Sequence, residues 1–324
     1  MKIAFFELEG WEEKIIKKEL SGNQFLFFNE PLSKKHISKI KSCEILSVFI
    51  YSNVTKEILK NLPNVKFITT RSTGFEHINV DYCRENKIEV SNVPFYGENT
   101  VAEHAFALIL SLARNLKEAQ IKVLKKDFSL NGLKGFDLKG KTLGVIGTGH
   151  IGQNSIKIAK GFGMKILAYD IYKNISLSKE LNFIYTNLDY LLKSSDIVTL
   201  HIPSTKETHH LLNSKNLNLM KKESLLINTS RGDLIDSTAL LHCLNNSLIK
   251  VGLDVIEHEN MLKNNSITKK NRDLINKILS HKRVIYTPHS AFYTQEALER
   301  ILLTTTGNIS SFINGQPQNT IKPL

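Results

Sequence analysis

Short apolar runs recur along this sequence, and polar stretches with helical spacing separate them. Runs such as KIAFFEL, EILSVFI and DIVTLHIP have the length and composition of buried strands, whereas WEEKIIKKEL and TKEILKNL favour helices. This alternation predicts parallel sheets with helices on both faces, because parallel strands must be joined by a crossover connection. The pattern constrains the fold more than any other feature of the chain, and it indicates the α/β class.

The chain divides into two alternating series. Its 324 residues exceed what one small core needs and are enough for two domains. The loop NVPFYGENT ends the first series, and one long apolar helix is predicted after it, from about Thr100 to Gln120. The amphipathic C-terminal segment has too little to pack on alone, so we expect it to return to the first domain. The predicted boundaries are 1–99 with 297–324 for one domain, and 100–296 for the other.

Composition limits the classes of function. The chain is 41% hydrophobic and 23% charged, as soluble globular proteins are. The first residues lack the pattern of a signal peptide, and the most apolar segment contains Glu103 and is too short to span a bilayer, so no membrane partner is expected. Cys43, Cys83 and Cys243 are isolated, which favours a reducing cytoplasm. The net charge of +12 comes from dispersed lysines rather than blocks, so no nucleic-acid partner is expected.

A glycine motif opens the second series. Gly147, Gly149 and Gly152 form G-x-G-x-x-G after an apolar strand and before a predicted helix. This context is typical of a dinucleotide site, where the phosphates lie on the helix N-terminus. The next strand ends at Asp170, about 20 residues on, where an acidic side chain hydrogen-bonds the ribose 2′-hydroxyl and repels a 2′-phosphate. The sequence therefore predicts NAD rather than NADP.

Three later strands each end in a reactive side chain. INTSRG supplies Arg231, LDVIEHE supplies Glu257 and Glu259, and TPHS supplies His289. Carboxyl ends of parallel strands meet at one edge of a sheet, so these groups can converge. Arginine can hold a carboxylate, histidine can deliver a proton, and a nearby carboxylate orients the imidazole. With a hydride donor, this set predicts reduction of a 2-oxo acid. Spacing alone does not choose between Glu257 and Glu259.

The motifs together resemble one family over essentially the whole chain. The segments TRSTGFEHINVD, NVPFYGENTVAEHAFALIL, LGVIGTGHIG, LHIPSTKETHHLLN, INTSRGDLID, GLDVIEHE and TPHSAFYT are similar to the D-isomer-specific 2-hydroxyacid dehydrogenases. Within that family, VPFYGENTVAEH, AYDIY and PHSAFYT look most like the D-lactate dehydrogenases. The resemblance implies two doubly wound parallel-sheet domains. One is a Rossmann NAD-binding domain, and the other is a discontinuous flavodoxin-like substrate domain, with the active site in the cleft between them.

The resemblance also implies residue roles. Arg231 is expected to bind the substrate carboxylate, His289 to protonate the carbonyl oxygen, and Glu259 to hydrogen-bond His289. Thr73, Gly74 and Tyr96 match substrate contacts. Expected cofactor contacts are Gly147, Gly149, His150, Ile151, Gly152, Asp170, Ile202, Pro203, Thr208, Thr229, Ser230, Arg231 and Asp254.

Pyruvate is the expected substrate, with D-lactate as product. A bulkier acid such as phenylpyruvate or 2-oxoisocaproate is one alternative, and an NAD-sensing corepressor-like binding protein is another. A homodimer is expected, since the apolar helix after Thr100 resembles the family's dimer-forming helix. No metal ion is expected, because His209 and His210 read as surface residues and His104 as structural. The stretch between Glu259 and His289 is expected to carry a short helix.

Overall fold

The computed structural model describes residues 1–246, 248–263 and 266–321. The chain forms two compact units, one of Met1–Tyr96 with Thr294–Leu324 and the other of Gly97–Tyr293. These divisions lie three residues before the predicted boundaries at 100 and 297. Helices and strands are numbered below in chain order, so the last helix, α13, belongs to the first unit.

The first unit is built on one parallel sheet. Within its described residues, five strands pair in the order β2-β1-β3-β4-β5. This is the flavodoxin-like order, as expected. The strands are β1 Lys2–Phe5, β2 Gln24–Phe27, β3 Ile45–Val48, β4 Phe67–Thr70 and β5 Glu89–Ser91. The helices are α1 Glu12–Glu19, α2 Ile37–Ile40, α3 Lys56–Leu59, α4 Val80–Glu85 and α13 Gln295–Ile313.

The second unit contains a larger parallel sheet. Its seven described strands pair in the order β12-β11-β10-β9-β6-β7-β8, which is the Rossmann order with one further strand at the β12 edge. The strands are β6 Thr142–Ile146, β7 Lys165–Tyr169, β8 Ile184–Tyr185, β9 Ile197–Leu200, β10 Ser224–Asn228, β11 Ile249–Leu253 and β12 Val284–Tyr286. The helices are α5 Glu98–Ala113, α6 Leu116–Leu124, α7 His150–Gly161, α8 Ile175–Glu180, α9 Leu188–Ser194, α10 Ser237–Asn245, α11 Glu259–Lys263 and α12 Lys269–Leu279.

Both sheets are covered on two faces. In the second unit, side chains of α5 and α7 pack on one face, and those of α9, α10 and α12 pack on the other. In the first unit, α1 and α13 cover one face, while α2, α3 and α4 cover the other. Central strands are therefore buried along their whole length, and all five residues of β10 are buried. Each buried leucine, isoleucine or phenylalanine contributes roughly 1.5–3 kcal/mol.

The predicted helix from Thr100 to Gln120 is wrong in one respect, because it is two helices. Asn115, between α5 and α6, has a φ of 49° and lies in the left-handed region. Its side-chain amide donates to the carbonyls of Leu133 and Lys134, and its Oδ1 accepts from Lys250 Nζ at 2.9 Å. These tertiary contacts hold a conformation that breaks the helix, and apolar periodicity does not reveal them.

Two further elements differ from the sequence predictions. Strand β2 was not predicted, because its residues are only partly buried at the sheet edge. Between Glu259 and His289 the described residues form two helices, α11 and α12, where one was expected. No helix among the described residues has the length and apolar character needed to cross a bilayer.

Candidate active site

The glycine motif forms a tight turn between β6 and α7. Gly147 has a φ of +96°, and a Cβ there would clash with the carbonyl oxygen of His201. A Cβ on Gly152 would clash with the carbonyl oxygen of Gly147, so helix and strand pack at backbone contact. Gly149 caps α7 without a side-chain bond, and nothing lies within 4 Å of where its Cβ would be. The N-cap position therefore carries no capping side chain, which suits an anion at the helix N-terminus.

Asp170 lies at the end of β7, beside that turn. Its Oδ2 accepts hydrogen bonds from the Thr148 amide at 2.7 Å and the Thr148 hydroxyl at 2.9 Å. Its Oδ1 accepts from the Tyr172 amide at 2.9 Å. The Tyr185 hydroxyl contacts Thr148 Oγ1 at 2.8 Å and supports the same arrangement. The carboxylate is thus fixed in place next to the glycine turn.

Arg231 and His289 come from strands on either side of β11. Asn228, Leu253 and Tyr286 form one row across β10, β11 and β12, and Arg231 and His289 each lie three residues beyond it. Strands are about 4.8 Å apart, so the two loops emerge within about 10 Å of each other. The sheet therefore brings the predicted arginine and histidine to the same edge.

The loop that carries Arg231 is fastened by the buried Asn228. The Asn228 side chain donates to the Arg231 carbonyl at 2.7 Å and accepts from the Ser230 amide at 3.0 Å. Gly232 packs so closely on the backbone of Ile256 that a Cβ there would clash. Side-chain and backbone contacts therefore fix the backbone conformation around Arg231.

His289 is held by Glu259. The Glu259 Oε1 and His289 Nδ1 atoms are 2.6 Å apart, and both side chains are largely buried. This contact places the proton on Nδ1 and leaves Nε2 to face a reactant. Nε2 makes no hydrogen bond to another described residue. His289 has a φ of 55°, a strained conformation for histidine that neighbouring contacts must support.

Asp254 supplies that support. Its side chain is buried, and it accepts hydrogen bonds from the amides of Ser290 and Ala291, each at 2.9 Å. The Thr287 hydroxyl also donates to it, and the His289 amide donates to the Asp254 carbonyl at 2.8 Å. These hydrogen bonds show that Asp254 shapes the loop carrying His289, and the cofactor contact expected at Asp254 stays a prediction.

Glu257 has different partners from Glu259. Its Oε1 contacts His210 Nε2 at 2.8 Å, and its Oε2 accepts from the Ser237 amide at 3.3 Å. Spacing left the two acids equivalent, whereas the geometry separates them. The acid beside His289 is Glu259, the residue favoured by the family resemblance.

Comparison with known proteins agrees with this geometry. The NAD-binding domain of the D-isomer-specific 2-hydroxyacid dehydrogenase family matches residues 106–291. The D-lactate dehydrogenase of Escherichia coli K12 is 36% identical over 98% of both chains. This chain belongs to the D-isomer-specific 2-hydroxyacid dehydrogenase family. It is an NAD-dependent oxidoreductase of D-2-hydroxy acids, and the recognition made from the sequence motifs is confirmed.

Solved structures of the family extend the comparison. D-lactate dehydrogenase of Aquifex aeolicus, complexed with NAD and lactic acid, has a TM-score of 0.86 and 38% identity, covering 97% of this chain and 96% of its own. A D-2-hydroxyisocaproate dehydrogenase has a TM-score of 0.87 and 30% identity, covering 100% of both chains. The predicted fold class of two doubly wound parallel-sheet domains is confirmed.

The second unit of this dehydrogenase fits NAD. The Gly149 N-cap of α7 makes no side-chain capping bond, which suits a pyrophosphate, and Asp170 lies beside the glycine turn, where the ribose contact is predicted. The Thr229 hydroxyl is buried and has no hydrogen-bond partner among the described residues, so a ligand atom could satisfy it. The other predicted contacts in this unit lie at the ends of the same strands: His150 and Ile151 at the start of α7, Ile202, Pro203 and Thr208 after β9, and Ser230 after β10.

The predicted substrate residues Thr73, Gly74 and Tyr96 belong to the first unit. The Thr73 hydroxyl donates to the Val93 carbonyl at 2.8 Å, and the Thr73 carbonyl accepts from Asn92 at 2.7 Å. The Tyr96 carbonyl accepts from Arg300 of α13. The loop after β4 is thus fastened to the segment after β5.

Sequence reasoning missed the residues that position the site. The sequence places Asn228 within the predicted strand SLLINTS and assigns no role to Thr287. The available signal was the position of polar side chains at the ends of buried strands, where an unpaired amide or hydroxyl would be costly. His104, which the sequence predicts to be structural, lies in the network around Asp254, where its Nε2 contacts Thr287 Oγ1 at 2.9 Å.

Proposed function

We propose that this dehydrogenase reduces pyruvate to D-lactate with NADH. The observation that carries the proposal is the 2.6 Å contact between His289 and Glu259, at the sheet edge where Arg231 also emerges. The E. coli and A. aeolicus relatives named D-lactate dehydrogenase support the choice of pyruvate. The reaction takes a 2-oxo acid, NADH and a proton, and gives a (R)-2-hydroxy acid and NAD.

His289 acts as the general acid. Its Nδ1 is engaged by Glu259, so Nε2 is the nitrogen that gives its proton to the substrate carbonyl oxygen. Glu259 keeps the ring oriented and balances the positive charge of the protonated imidazole. Bound NADH supplies the hydride that arrives at carbon 2 of the substrate.

Arg231 binds the substrate carboxylate. A guanidinium can form two parallel hydrogen bonds to a carboxylate, which fixes the orientation of a small 2-oxo acid. Asn228 holds the backbone at Arg231, so the side chain starts from a defined position. Thr73, Gly74 and Tyr96 remain predicted substrate contacts. The loop that carries Thr73 and Gly74 is suited to the task because Asn92 and Val93 fix its backbone.

A bulkier 2-oxo acid is the second candidate. The likeness to a D-2-hydroxyisocaproate dehydrogenase, at 30% identity over the full chain, favours it. His289, Arg231 and the cofactor site would act in the same way on such a substrate. The pocket would differ from one for pyruvate only in the space around carbon 3 of the substrate.

We also propose a homodimer and a cytoplasmic location. The predicted dimer helix, α5, buries most of its apolar residues in its own unit. Exposed apolar side chains lie instead on α6 and just after it, where Leu124, Phe128 and Leu130 are 74%, 78% and 82% exposed. An apolar patch of this kind is typical of a subunit interface.

The three cysteines are buried free thiols, which suits a reducing compartment such as the proposed cytoplasm.

The substrate proposal is tested by the rate of NADH oxidation across pyruvate, 2-oxobutyrate, 2-oxoisocaproate, phenylpyruvate, hydroxypyruvate and glyoxylate. We expect the highest kcat/KM with pyruvate, and D-lactate as the product on chiral chromatography. A maximum with 2-oxoisocaproate or phenylpyruvate would transfer the assignment to the second candidate. L-lactate as product, or no turnover of any acid by protein that binds NADH, would contradict the proposed function.

A further inference from the structure

A cluster of three histidines and one glutamate lies on the second unit, apart from the pair that handles the proton. His209 and His210 end the loop after β9, and Glu257 and His258 precede α11. Ligand atoms of His209, His210 and Glu257 all lie within 4.8 Å of one another. The sequence did not suggest this cluster, because the two segments are separated by more than 40 residues. The fold joins them through the neighbouring ends of β9, β10 and β11.

The geometry within the cluster is compact. The rings of His209 and His210 stack with centroids 3.9 Å apart. Glu257 Oε1 is 2.8 Å from His210 Nε2 and 3.7 Å from His258 Nε2. Nitrogen or oxygen ligands about 2.1 Å from a tetrahedral metal ion are about 3.4 Å apart. Displacements of about an ångström would therefore bring the three ligand atoms onto one ion.

The backbone around the cluster is fixed. The His210 amide donates to the Asp233 carbonyl at 2.8 Å, and the His210 carbonyl accepts from Asn213 at 2.9 Å. Glu257 Oε2 accepts from the Ser237 amide at the start of α10. His210 and His258 have φ values of 50° and 62°, so both are held in the left-handed region. A fixed backbone lowers the entropy that side chains lose when an ion orders them.

The charge of the cluster also suits a cation. Burial raises the pKa of Glu257, but hydrogen bonds from His210 and Ser237 outweigh it, and the pKa lies below its usual range. The side chain is therefore a carboxylate at neutral pH. Two imidazoles and one carboxylate are a ligand set that binds zinc and other divalent transition metals, with positions left for water.

We propose that His209, His210 and Glu257 form a binding site for a divalent transition-metal ion, with Zn²⁺ as the occupant. His258 is placed to orient Glu257 or to supply a fourth ligand. Zn²⁺ would take the place of the direct contact between His210 Nε2 and Glu257 Oε1. The proposal does not depend on which 2-oxo acid the enzyme reduces.

The experiment uses tag-free, full-length protein treated with a chelator and then titrated with Co²⁺ and Zn²⁺. Visible d–d absorption of Co²⁺ reports ligand geometry, and calorimetry gives the stoichiometry and affinity of Zn²⁺. We expect one Zn²⁺ per chain, and a Co²⁺ spectrum without the thiolate charge-transfer bands that cysteine ligands would produce. Cys43, Cys83 and Cys243 are thereby excluded as the source of binding.

Variants locate the ion. His209→Ala and Glu257→Gln should each weaken Zn²⁺ binding by roughly a hundredfold, since each removes a ligand. His242→Ala is the matched control, because His242 is an exposed histidine on α10 of the same unit and should leave affinity unchanged. Circular dichroism checks that each variant is folded. Wild-type affinity in both His209→Ala and Glu257→Gln would overturn the proposal. So would loss of binding in His289→Ala alone, which would place the ion at the pair described above.

Discussion

At the scale of single residues, two glutamates of one short segment have different partners. Glu259 contacts His289, and Glu257 contacts His210 and Ser237. A sequence pattern cannot separate them, because they are two residues apart and chemically identical. The difference arises from the turn at His258, which has a φ of 62°. This pair therefore offers a matched test of the proton donor.

We expect Glu259→Gln to lower kcat by roughly two to three orders of magnitude, because the neutral amide no longer holds and balances a protonated His289. Glu257→Gln should change kcat by less than about threefold. Steady-state kinetics with pyruvate measures both, and NADH binding by fluorescence should be unchanged in each. Equal losses in the two variants would show that the segment acts through its structure, without a special role for Glu259.

Asp170 is a second residue with a separable role. Its carboxylate is held by Thr148 and Tyr172 beside the glycine turn. We expect Asp170→Asn to weaken NADH binding and to reduce the preference for NADH over NADPH by roughly tenfold or more, because the repulsion of a 2′-phosphate is lost. Ratios of kcat/KM for the two cofactors measure this. Asp189→Asn, at an exposed position on α9, is the control, and an unchanged ratio in Asp170→Asn would remove Asp170 from cofactor selection.

At the scale of elements, polar side chains at strand and helix ends determine the local path of the chain. Asn228 fastens the loop after β10, Asp254 fastens the loop after β12, and Asn115 separates α5 from α6. Each is buried, so an unpaired polar group there would cost about 1–3 kcal/mol. The regular elements were predictable from hydrophobic periodicity. These connections were not, because their partners are distant in sequence.

At Asn115, the contribution of the side-chain hydrogen bonds can be separated from that of the left-handed backbone conformation. We expect Asn115→Ala to lower the free energy of unfolding by about 2–3 kcal/mol, since it loses the amide hydrogen bonds and places alanine in the left-handed region. Asn115→Gly should lose less, by about 1 kcal/mol, because glycine tolerates that φ. Urea denaturation of both variants measures the difference. An alanine variant as stable as the glycine variant would show that the backbone conformation at this break carries no cost.

At the scale of the whole molecule, acid stability depends on histidines that burial keeps neutral. In the first unit, burial lowers the pKa of His77 to about 4, against a weaker opposing effect of Glu76. The unfolded chain binds this proton near pH 6.5, so unfolding takes up a proton between pH 6.5 and 4. His77 therefore costs no stability above pH 6.5, and it destabilises the folded state increasingly as the pH falls toward 4.

We expect the free energy of unfolding of the first unit to fall with acidification, with a His77 contribution of at most about 1.4 kcal/mol per pH unit. Trp11 is the only tryptophan of the chain and lies in this unit, so its fluorescence reports the transition. Urea titrations at pH 7.5, 6.0 and 5.0 give the free energy of unfolding at each pH. Its slope against pH should be shallower for His77→Gln than for the wild type. His242→Gln should retain the wild-type slope, and parallel slopes for all three proteins would contradict the assignment.

The proposed dimer is also a property of the whole molecule. We expect a double substitution of Phe128→Ser and Leu130→Ser to convert a dimer into a monomer, because it removes the most exposed apolar side chains after α6. Light scattering after size-exclusion chromatography gives the mass. Tyr190→Ser, at an exposed aromatic residue on α9, is the control and should leave the mass unchanged. A monomeric wild type would exclude the homodimer directly.

The sequence by itself determined the α/β class, the glycine turn, the strands of both sheets apart from β2, and the residues at their carboxyl ends. It could do so because strand and helix periodicity, glycine conformations and strand-end positions are local properties. Only the tertiary structure decided which glutamate meets His289, what holds Arg231 and where the apolar helix breaks. It also brought His209 and His210 to Glu257. These outcomes depend on contacts between segments far apart in the chain, set by strand order and by the burial of polar groups, and no local pattern encodes them.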